Sequence, residues 1–232
     1  MRASGFPRRT PLVAPLITLA VLIGCAAPPT QIPLDVLNVY ATSAAYPWID
    51  GIYVCAPASA AVRLSDPASA EIELRLGEPN HLGSPAFQIG SADMLVVVHP
   101  QNGVGSLTLD QVQGLFAGQV TNWGDIGGST VPVLVWTYSS AEDVQVYFDR
   151  TVMNGRPVTS LARLAVSSQA MSDSVGSVPG SIGFLPRRLK TGNTSEVLDL
   201  PSLPVLATVK AEPQGIVRDL LSCMQSSDAG SP

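Results

Sequence analysis

Two adjacent acids, Glu142 and Asp143, follow two serines at the point where a predicted strand gives way to a predicted helix. Ser139 or Ser140 can cap that helix, and acidic side chains in a first helical turn are stabilised by the helix dipole. The alternative is a binding role, in which the two serines and Tyr138 join the carboxylates around a cationic or neutral polar solute. The residues by themselves leave both interpretations open.

No arrangement typical of an enzyme accompanies these residues. The chain has two histidines and lacks the G-x-S-x-G and H-E-x-x-H motifs of serine hydrolases and zinc peptidases. It also lacks a Cys/His pair near a turn, so no catalytic residue, metal or cofactor is predicted. Two acids could still meet in space and hydrolyse a glycoside, which keeps a cell-surface hydrolase as an alternative.

The elements that hold these side chains alternate between strand and helix. Residues 36–40 form a short apolar strand that leads through Thr42 and Ser43 into a helix, and residues 71–76 alternate as a strand that contains Arg75. The two acids likewise lie between a strand and a helix. Such units predict an α/β fold with a mostly parallel sheet, in which ligands bind outside the carboxyl ends of the strands.

Two segments carry a resemblance to a known family. Residues 107–128 read L-T-L-D-Q-V-Q-G-L-F-A-G-Q-V-T-N-W-G-D-I-G-G, in which Thr108 caps a short amphipathic helix and Trp123 needs a pocket to fill. This segment resembles L-T-x-x-Q-x-x-x-I-F-x-G-x-x-x-N-W-x-D-x-G-G of the phosphate-type solute-binding proteins of ABC transporters. Residues 178–186, V-P-G-S-I-G-F-L-P, resemble the P-G-A-I-G-Y strand of that family. The resemblance covers roughly residues 35–186.

The resemblance implies a two-lobed type II periplasmic binding protein fold whose lobes are joined by a hinge of two crossings. Lobe 1 is expected to be discontinuous, with residues 34–98 and 180–224, lobe 2 to span residues 99–179, and residues 225–232 to form a tail. The implied function is solute capture for an ABC uptake system, with a small-molecule solute and permease subunits as partners and a monomeric state. A sensor or scaffold lipoprotein of the same fold is the alternative.

The resemblance also assigns expected roles to three polar residues in the first half of the chain. Thr42 and Ser43 lie in the strand-to-helix turn whose hydroxyls and amides contact the ligand in the family, although helix capping would explain them equally well. Arg75 lies in the strand that ends beside the cleft. There it would contact a ligand carboxylate or phosphate, or pair with an acid on a neighbouring strand.

The anion-binding turn of the family reads approximately R-x-x-G-S-G-T before a helix that carries a Phe. Matching that Phe to Phe148 places Tyr138 at the Arg and Glu142 and Asp143 at the Ser-Gly pair. The groups that would hold an anion are therefore replaced, and a like charge a few Å from an anion costs about 1–4 kcal/mol. The sequence predicts weak phosphate binding or none.

The N-terminus predicts export and lipidation. Residues 1–24 form a secretory leader in which three arginines precede an apolar run at residues 12–23, too short for a permanent membrane span. The run ends in Leu-Ile-Gly-Cys, which matches the bacterial lipobox. We therefore expect Cys25 to carry the lipid, residues 25–33 to form a tether, and the protein to lie outside the cytoplasm on the cell membrane.

Charge and cysteine content narrow the partners further. Loss of the leader removes three of the thirteen basic residues and none of the eighteen acids, so the net charge falls from −5 to about −8. Such an acidic surface disfavours nucleic acid and anionic membranes as partners. Cys55 and Cys223 remain in a compartment that permits disulfides. They form either a bridge, which packing of the family's C-terminal segment on lobe 1 would allow, or two buried thiols.

Overall fold

The computed structural model describes residues 34–79 and 83–226. The strands in these ranges are β1 (Asp35–Ala41), β2 (Ala60–Leu64), β3 (Ile72–Leu76), β4 (Ala86–Val98), β5 (Leu134–Thr137), β6 (Arg163–Leu164), β7 (Ser181–Pro186) and β8 (Ser195–Val209). The α-helices are α1 (Ile49–Cys55), α2 (Leu109–Phe116), α3 (Asp143–Phe148), α4 (Ser168–Ser177) and α5 (Gly215–Ser226). The predicted lipidation site Cys25 lies outside the described residues, as do the leader, the tether and most of the tail. Within the described part, no helix is long and apolar enough to cross a membrane.

The strands form one mixed sheet in the order β2-β1-β3-β8-β4-β7-β5-β6. β1 is parallel to β2 and β3, and β5 is parallel to β6 and β7, as the alternation of strands and helices predicts. The long strands β4 and β8 are antiparallel to all their neighbours. Because β1 and β3 are parallel, their carboxyl ends meet, and the backbone N–H of Thr42 donates to the carbonyl of Leu74 at 3.0 Å.

The alternation of buried and half-buried side chains along β3 determines where the predicted site residue Arg75 lies. Ile72 and Leu74 are fully buried and Leu76 is 2% exposed, which confirms the apolar face predicted for this strand. Glu73 and Arg75 lie on the opposite face and are half-buried. β3 therefore delivers a guanidinium and a carboxylate to the edge where β1 also ends.

An aromatic cluster joins α2, α3 and β7. The rings of Phe148 and Phe184 stack with centroids 3.8 Å apart, and Phe116 packs on Phe148 at 4.5 Å. Tyr138 completes the cluster with an edge-on contact to Phe184 at 5.3 Å. Because these rings are buried, α3 is held firmly against the sheet from its inner face.

The segment at residues 107–128 has the structure that its sequence predicts. Thr108 caps α2 in a capping box with Gln111, and Trp123 is fully buried. The indole N–H of Trp123 donates to the carbonyl of Gly180 at 2.8 Å. Gly180 has a φ of +86°, and a Cβ there would lie 2.2 Å from the carbonyl oxygen of Pro132, so only glycine fits.

A disulfide fastens the C-terminal helix to the first one. Cys55 at the end of α1 is bonded to Cys223 in α5, with their Cα atoms 5.7 Å apart and a sequence separation of 168. Helix α5 buries Leu220, Leu221 and Met224 on the same side. The bridge therefore stabilises the packing of the C-terminal segment that the family resemblance led us to expect.

Candidate ligand-binding cleft

Three segments that are distant in sequence meet at the candidate site. They are the turn after β1, with Thr42 and Ser43, the end of β3, with Arg75, and the start of α3, with Glu142 and Asp143. The hydroxyl of Ser43 donates to Oε2 of Glu142 at 2.7 Å. This contact links the first segment directly to the third.

The ion pair of Arg75 with Asp143 is the strongest contact across the site. Nη2 of Arg75 donates to Oδ1 of Asp143 at 2.8 Å, and the backbone N–H of Leu76 donates to Oδ2 at 3.0 Å. The Asp143 side chain is 2% exposed and that of Arg75 is 22% exposed. Both oxygens of one buried carboxylate thus have partners, which is the condition under which a buried charge is tolerated.

Arg75 also contacts an acid on its own strand. Its Nη1 lies 3.5 Å from Oε1 of Glu73, a longer and weaker contact than the one to Asp143. Of the two roles predicted for Arg75, the structure shows pairing with acids of the chain itself. Glu73 lies on β3 itself and Asp143 lies on α3, whereas the sequence led us to expect an acid on a neighbouring strand.

Two buried donors at the same place lack a partner among the described residues. They are the hydroxyl of Thr42 and Nε of Arg75. Capping does not occupy the hydroxyls of this turn, because the first helical turn, Tyr46–Trp48, begins after Ala45 without a side-chain cap. The capping explanation for Thr42 and Ser43 is therefore wrong.

The electrostatic environment of the site is acidic. Burial and then the carboxylates of Glu73, Glu142 and Asp143 raise the pKa of Tyr40, while Arg75 lowers it by a smaller amount. Three carboxylates and one guanidinium therefore lie close enough to Tyr40 to change its pKa, and the carboxylates have the larger effect. A free anion that entered would meet net negative charge.

A small cavity opens beside the ion pair. Its volume is about 110 Å³. The lining residues are Arg75, Leu76, Gly77, Glu78, Asp143, Val146, Tyr147, Arg150, Thr151 and Leu203. The cavity lies between the end of β3 and the outer face of α3, and the hydroxyl of Tyr147 closes it by donating to the carbonyl of Pro201.

Tyr138 does not reach this cavity. Its side chain is 2% exposed, and its hydroxyl donates to the carbonyl of Phe184 at 3.0 Å and lies 3.3 Å from Oγ of Ser168. Burial raises the pKa of this phenol. The structure therefore places Tyr138 in the aromatic cluster and not among the residues around Asp143.

Ser139 and Ser140 lie apart from the ion pair as well. Both are exposed and line a wider cavity of about 640 Å³ together with Gln145, Asp149 and Arg156. Neither serine caps α3, because Glu142 is the N-cap residue and no side chain caps this helix. The prediction that one of them caps the helix is wrong, since the helix begins at Asp143 and the serines lie too far upstream.

Comparison with known proteins places the chain in a family. Residues 60–211, well over half of the chain, match the sequence profile of the PBP superfamily domain. The chain belongs to the PBP superfamily. The phosphate-binding protein PstS of Bacillus subtilis is 22% identical over an alignment of 158 residues, and the match covers 61% of this chain and 52% of that relative. The chain thus matches about half the length of this relative.

Solved structures of PBP proteins confirm the predicted fold. A protein described as a phosphate ABC transporter substrate-binding protein of Clostridium perfringens, crystallised with phosphate, superposes with a TM-score of 0.73 at 17% identity, over 84% of this chain and 95% of that one. An ABC-type phosphate transport receptor of Vibrio cholerae gives 0.67 at 16% identity over the same shares. The PBP fold and the resemblance to phosphate-binding relatives are thereby confirmed, and the lobe boundaries stay a prediction.

Sequence reasoning missed part of this PBP cleft. Glu73 could have been found from the alternation of β3, which places it on the same face as Arg75. The backbone N–H of Leu76 and the side chains of Tyr147 and Arg150 carry no motif, and only the packing of α3 against β3 brings them together. Within the described residues, no cluster of three or more metal-ligating side chains occurs.

Proposed function

We propose that this PBP-superfamily chain is the extracytoplasmic solute-binding protein of an ABC uptake system, anchored by a lipid on Cys25, and that its solute is cationic or neutral and polar. The observation that supports this proposal is the engagement of Arg75 and the Leu76 N–H by the carboxylate of Asp143. Two of the groups that would attract an anion, Nη2 of Arg75 and the N–H of Leu76, are already engaged within the chain. The chemistry is reversible capture between two lobes, with no catalytic step.

Inorganic phosphate is a poor fit to such a cleft. Tight capture of this anion needs an Arg fork and several neutral donors, because charge-assisted bonds must offset a large desolvation cost. Here Arg75 faces Asp143 and Glu73, and the hydroxyl of Ser43 faces Glu142. Phosphate would have to displace a carboxylate and then remain beside it.

A solute screen tests the proposal. Thermal unfolding of the full mature chain in detergent is followed with oxyanions, amino acids, polyamines and sugars, since a ligand at a hundred times its Kd adds about 2.7 kcal/mol of stability. We expect stabilisation by a polyamine, an amino acid or a sugar, and a smaller response in Glu142→Gln. Glu196→Gln, on the strand β8, is the matched control. Stabilisation by phosphate alone would refute the proposed solute class.

The lipid anchor is tested separately from the cleft. Cys25→Ser removes the thiol that the lipobox presents for lipidation, so the variant should leave the detergent phase in a phase-partition assay. An unchanged membrane fraction would show that the anchor is wrong without bearing on the solute.

A sensor or scaffold built on the same fold is the second candidate. It is favoured by the contacts of Ser43 with Glu142 and of Arg75 with Asp143, which link the two sides of the cleft by side chains of the chain alone. Genes for a permease and an ATPase beside this one would favour transport. A screen without any stabilising solute would favour the sensor or scaffold.

A further inference from the structure

We infer that the end of β3 is a latent site for a small oxyanion and that Asp143 occupies it as a built-in ligand. The ligand class is a carboxylate, phosphate or sulfate group, whose acidic oxygens the carboxylate of Asp143 replaces. The inference rests on the proposed function for its place in solute capture, because both concern the same cleft. The donors themselves are read directly from the structure.

The donors on β3 are arranged as they would be around a bound anion. Arg75 Nη2 reaches one oxygen of Asp143 and the N–H of Leu76 reaches the other. Both residues are held in place by the ladder with β8, in which Arg75 is paired with Leu206 and Leu76 with Val205. Because this ladder does not involve α3, the backbone of both residues, including the N–H of Leu76, keeps its position when the acceptor is removed.

Two further buried donors, one on Arg75 itself and one in the turn after β1, have no acceptor. Nε of Arg75 and the hydroxyl of Thr42 are buried and make no hydrogen bond with a described residue. A buried donor without a partner is destabilising. One oxygen of Asp143 accepts from Arg75 and the other from Leu76, so phosphate and sulfate, which have more oxygens than a carboxylate, can offer further acceptors.

The cavity beside the pair supplies room and a second cation. Arg150 lines the 110 Å³ cavity together with Arg75 and forms no salt bridge with another described residue. The acids in the cavity wall are Glu78 and Asp143, so the charged side chains of the wall balance. Removal of the Asp143 carboxylate would enlarge the cavity and leave Arg75, Arg150 and Glu78 as the charged groups of its wall, with Glu73 3.5 Å from Arg75.

The test is the dependence of stability on anions in Asp143→Ala, made in the full mature chain and kept in detergent. Thermal unfolding is measured with phosphate, sulfate or acetate, and with chloride at equal ionic strength. We expect each oxyanion to raise the Tm of the variant in a saturable way, with an apparent affinity at least about tenfold tighter than that of the wild type. Asp149→Ala removes an exposed acid near the end of α3 and should respond as the wild type does.

Two more variants make the outcome decisive. Asp143→Ala combined with Arg75→Gln should lose the response, because the principal donor is gone. If Asp143→Ala does not fold alone, it is refolded with and without each oxyanion. The shorter polar replacement Asp143→Ser is measured in the same way, and both report the response of stability to oxyanions. An effect of the oxyanions no larger than that of chloride in both Asp143 variants would overturn the inference.

Failure of this test and failure of the proposed function are distinguishable. The solute screen uses the wild type. If Asp143→Ala is not stabilised by oxyanions, stabilisation of the wild type by a polyamine, an amino acid or a sugar still supports the proposed function. Conversely, a wild type that binds no solute leaves the oxyanion response of Asp143→Ala as a separate result.

Discussion

Two arginine clusters of this protein differ in what they connect. Arg187 donates to Glu196 at 2.7 Å and to Asp199 at 2.5 Å, and the acids lie nine and twelve residues further along the chain. Arg75 meets Asp143 at 2.8 Å, across 68 residues of sequence. The Arg187 cluster connects the end of β7 to β8, and these two strands are separated in the sheet by β4. The Arg75 pair connects the end of β3 to the start of α3.

Exposure separates the two clusters more clearly than distance does. The side chains of Arg187, Glu196 and Asp199 are 44%, 37% and 77% exposed, and that of Asp143 is 2% exposed. Exposed pairs are screened by water and contribute little, whereas removal of one partner from a buried pair leaves an uncompensated charge. The shorter contacts should therefore matter less, and the Arg75 pair should control both stability and anion response.

The largest expected effect is that of Asp143→Ala on stability. Loss of the carboxylate leaves the guanidinium of Arg75 and the N–H of Leu76 without their main acceptor. We expect the free energy of unfolding to fall by about 3–5 kcal/mol, the range for a broken buried pair. Urea denaturation of the full mature chain measures it. A loss below about 1 kcal/mol would mean that the pair behaves like an exposed one.

Removal of the disulfide should lower the free energy of unfolding by a comparable amount without changing the ion pair. Replacement of Cys55 and Cys223 by serine should lower the free energy of unfolding by about 2–4 kcal/mol, because the bridge no longer restricts the unfolded chain. Urea denaturation of the double variant measures this loss. Its response to phosphate should equal that of the wild type, and a gain in phosphate response would show that loosening of the fold, and not loss of Asp143, exposes the oxyanion site.

Tyr147 tests a second link between α3 and the sheet through pH. Burial raises the pKa of its hydroxyl to about 12, above the value of about 10 for an unfolded tyrosine. A raised folded pKa means that the stabilisation is fully present below about pH 10 and is lost as the pH rises toward 12. Tyr147→Phe should cost about 1 kcal/mol at neutral pH and make stability fall less steeply above pH ~10.

Urea denaturation of wild type and Tyr147→Phe at neutral and alkaline pH checks this expectation. The hydroxyl of Tyr147 donates to the carbonyl of Pro201, which phenylalanine cannot do. Parallel pH profiles of the two proteins would show that Tyr147 does not contribute to the alkaline loss.

The smallest effect is expected at the Arg187 cluster. Asp199→Ala removes an acid whose side chain is 77% exposed, so the free energy of unfolding should change by less than about 1 kcal/mol. The same urea assay measures it, in low and in high salt. A loss as large as that of Asp143→Ala would remove the distinction between the two clusters.

The sequence predicted most reliably the residues that have one structural role, such as capping a helix or filling the core. Thr108 caps α2, and Trp123 is buried. Each of these follows from the residue and its near neighbours. The fold was predictable because such positions recur along the segments that resemble the family.

The sequence predicted several of the residues that form the candidate site, but it did not predict which of them contact one another. Thr42, Ser43, Arg75, Glu142 and Asp143 do meet at one place. Their partners depend on where α3 begins and on how it packs against β3, and a shift of one residue at a helix start turns a side chain by about 100°. Local pattern cannot supply that information.

Tyr138 illustrates the same limit. Alignment with the family placed it at the anion-binding position, but a large aromatic ring is stabilised by burial against other rings. It packs against Phe184, and its hydroxyl finds a backbone carbonyl in the core.

The central claim is that Asp143 and Glu142 keep the cleft from binding phosphate, and isothermal titration calorimetry of the wild-type mature chain with phosphate tests it most directly. The titration is made at neutral pH and physiological salt, because low salt would strengthen the repulsion between phosphate and the carboxylates and favour the predicted absence of binding. We predict no saturable heat at phosphate concentrations up to about 1 mM. A micromolar or tighter Kd would contradict the account, because it would show that the donors of this cleft are available to an anion while both carboxylates are present.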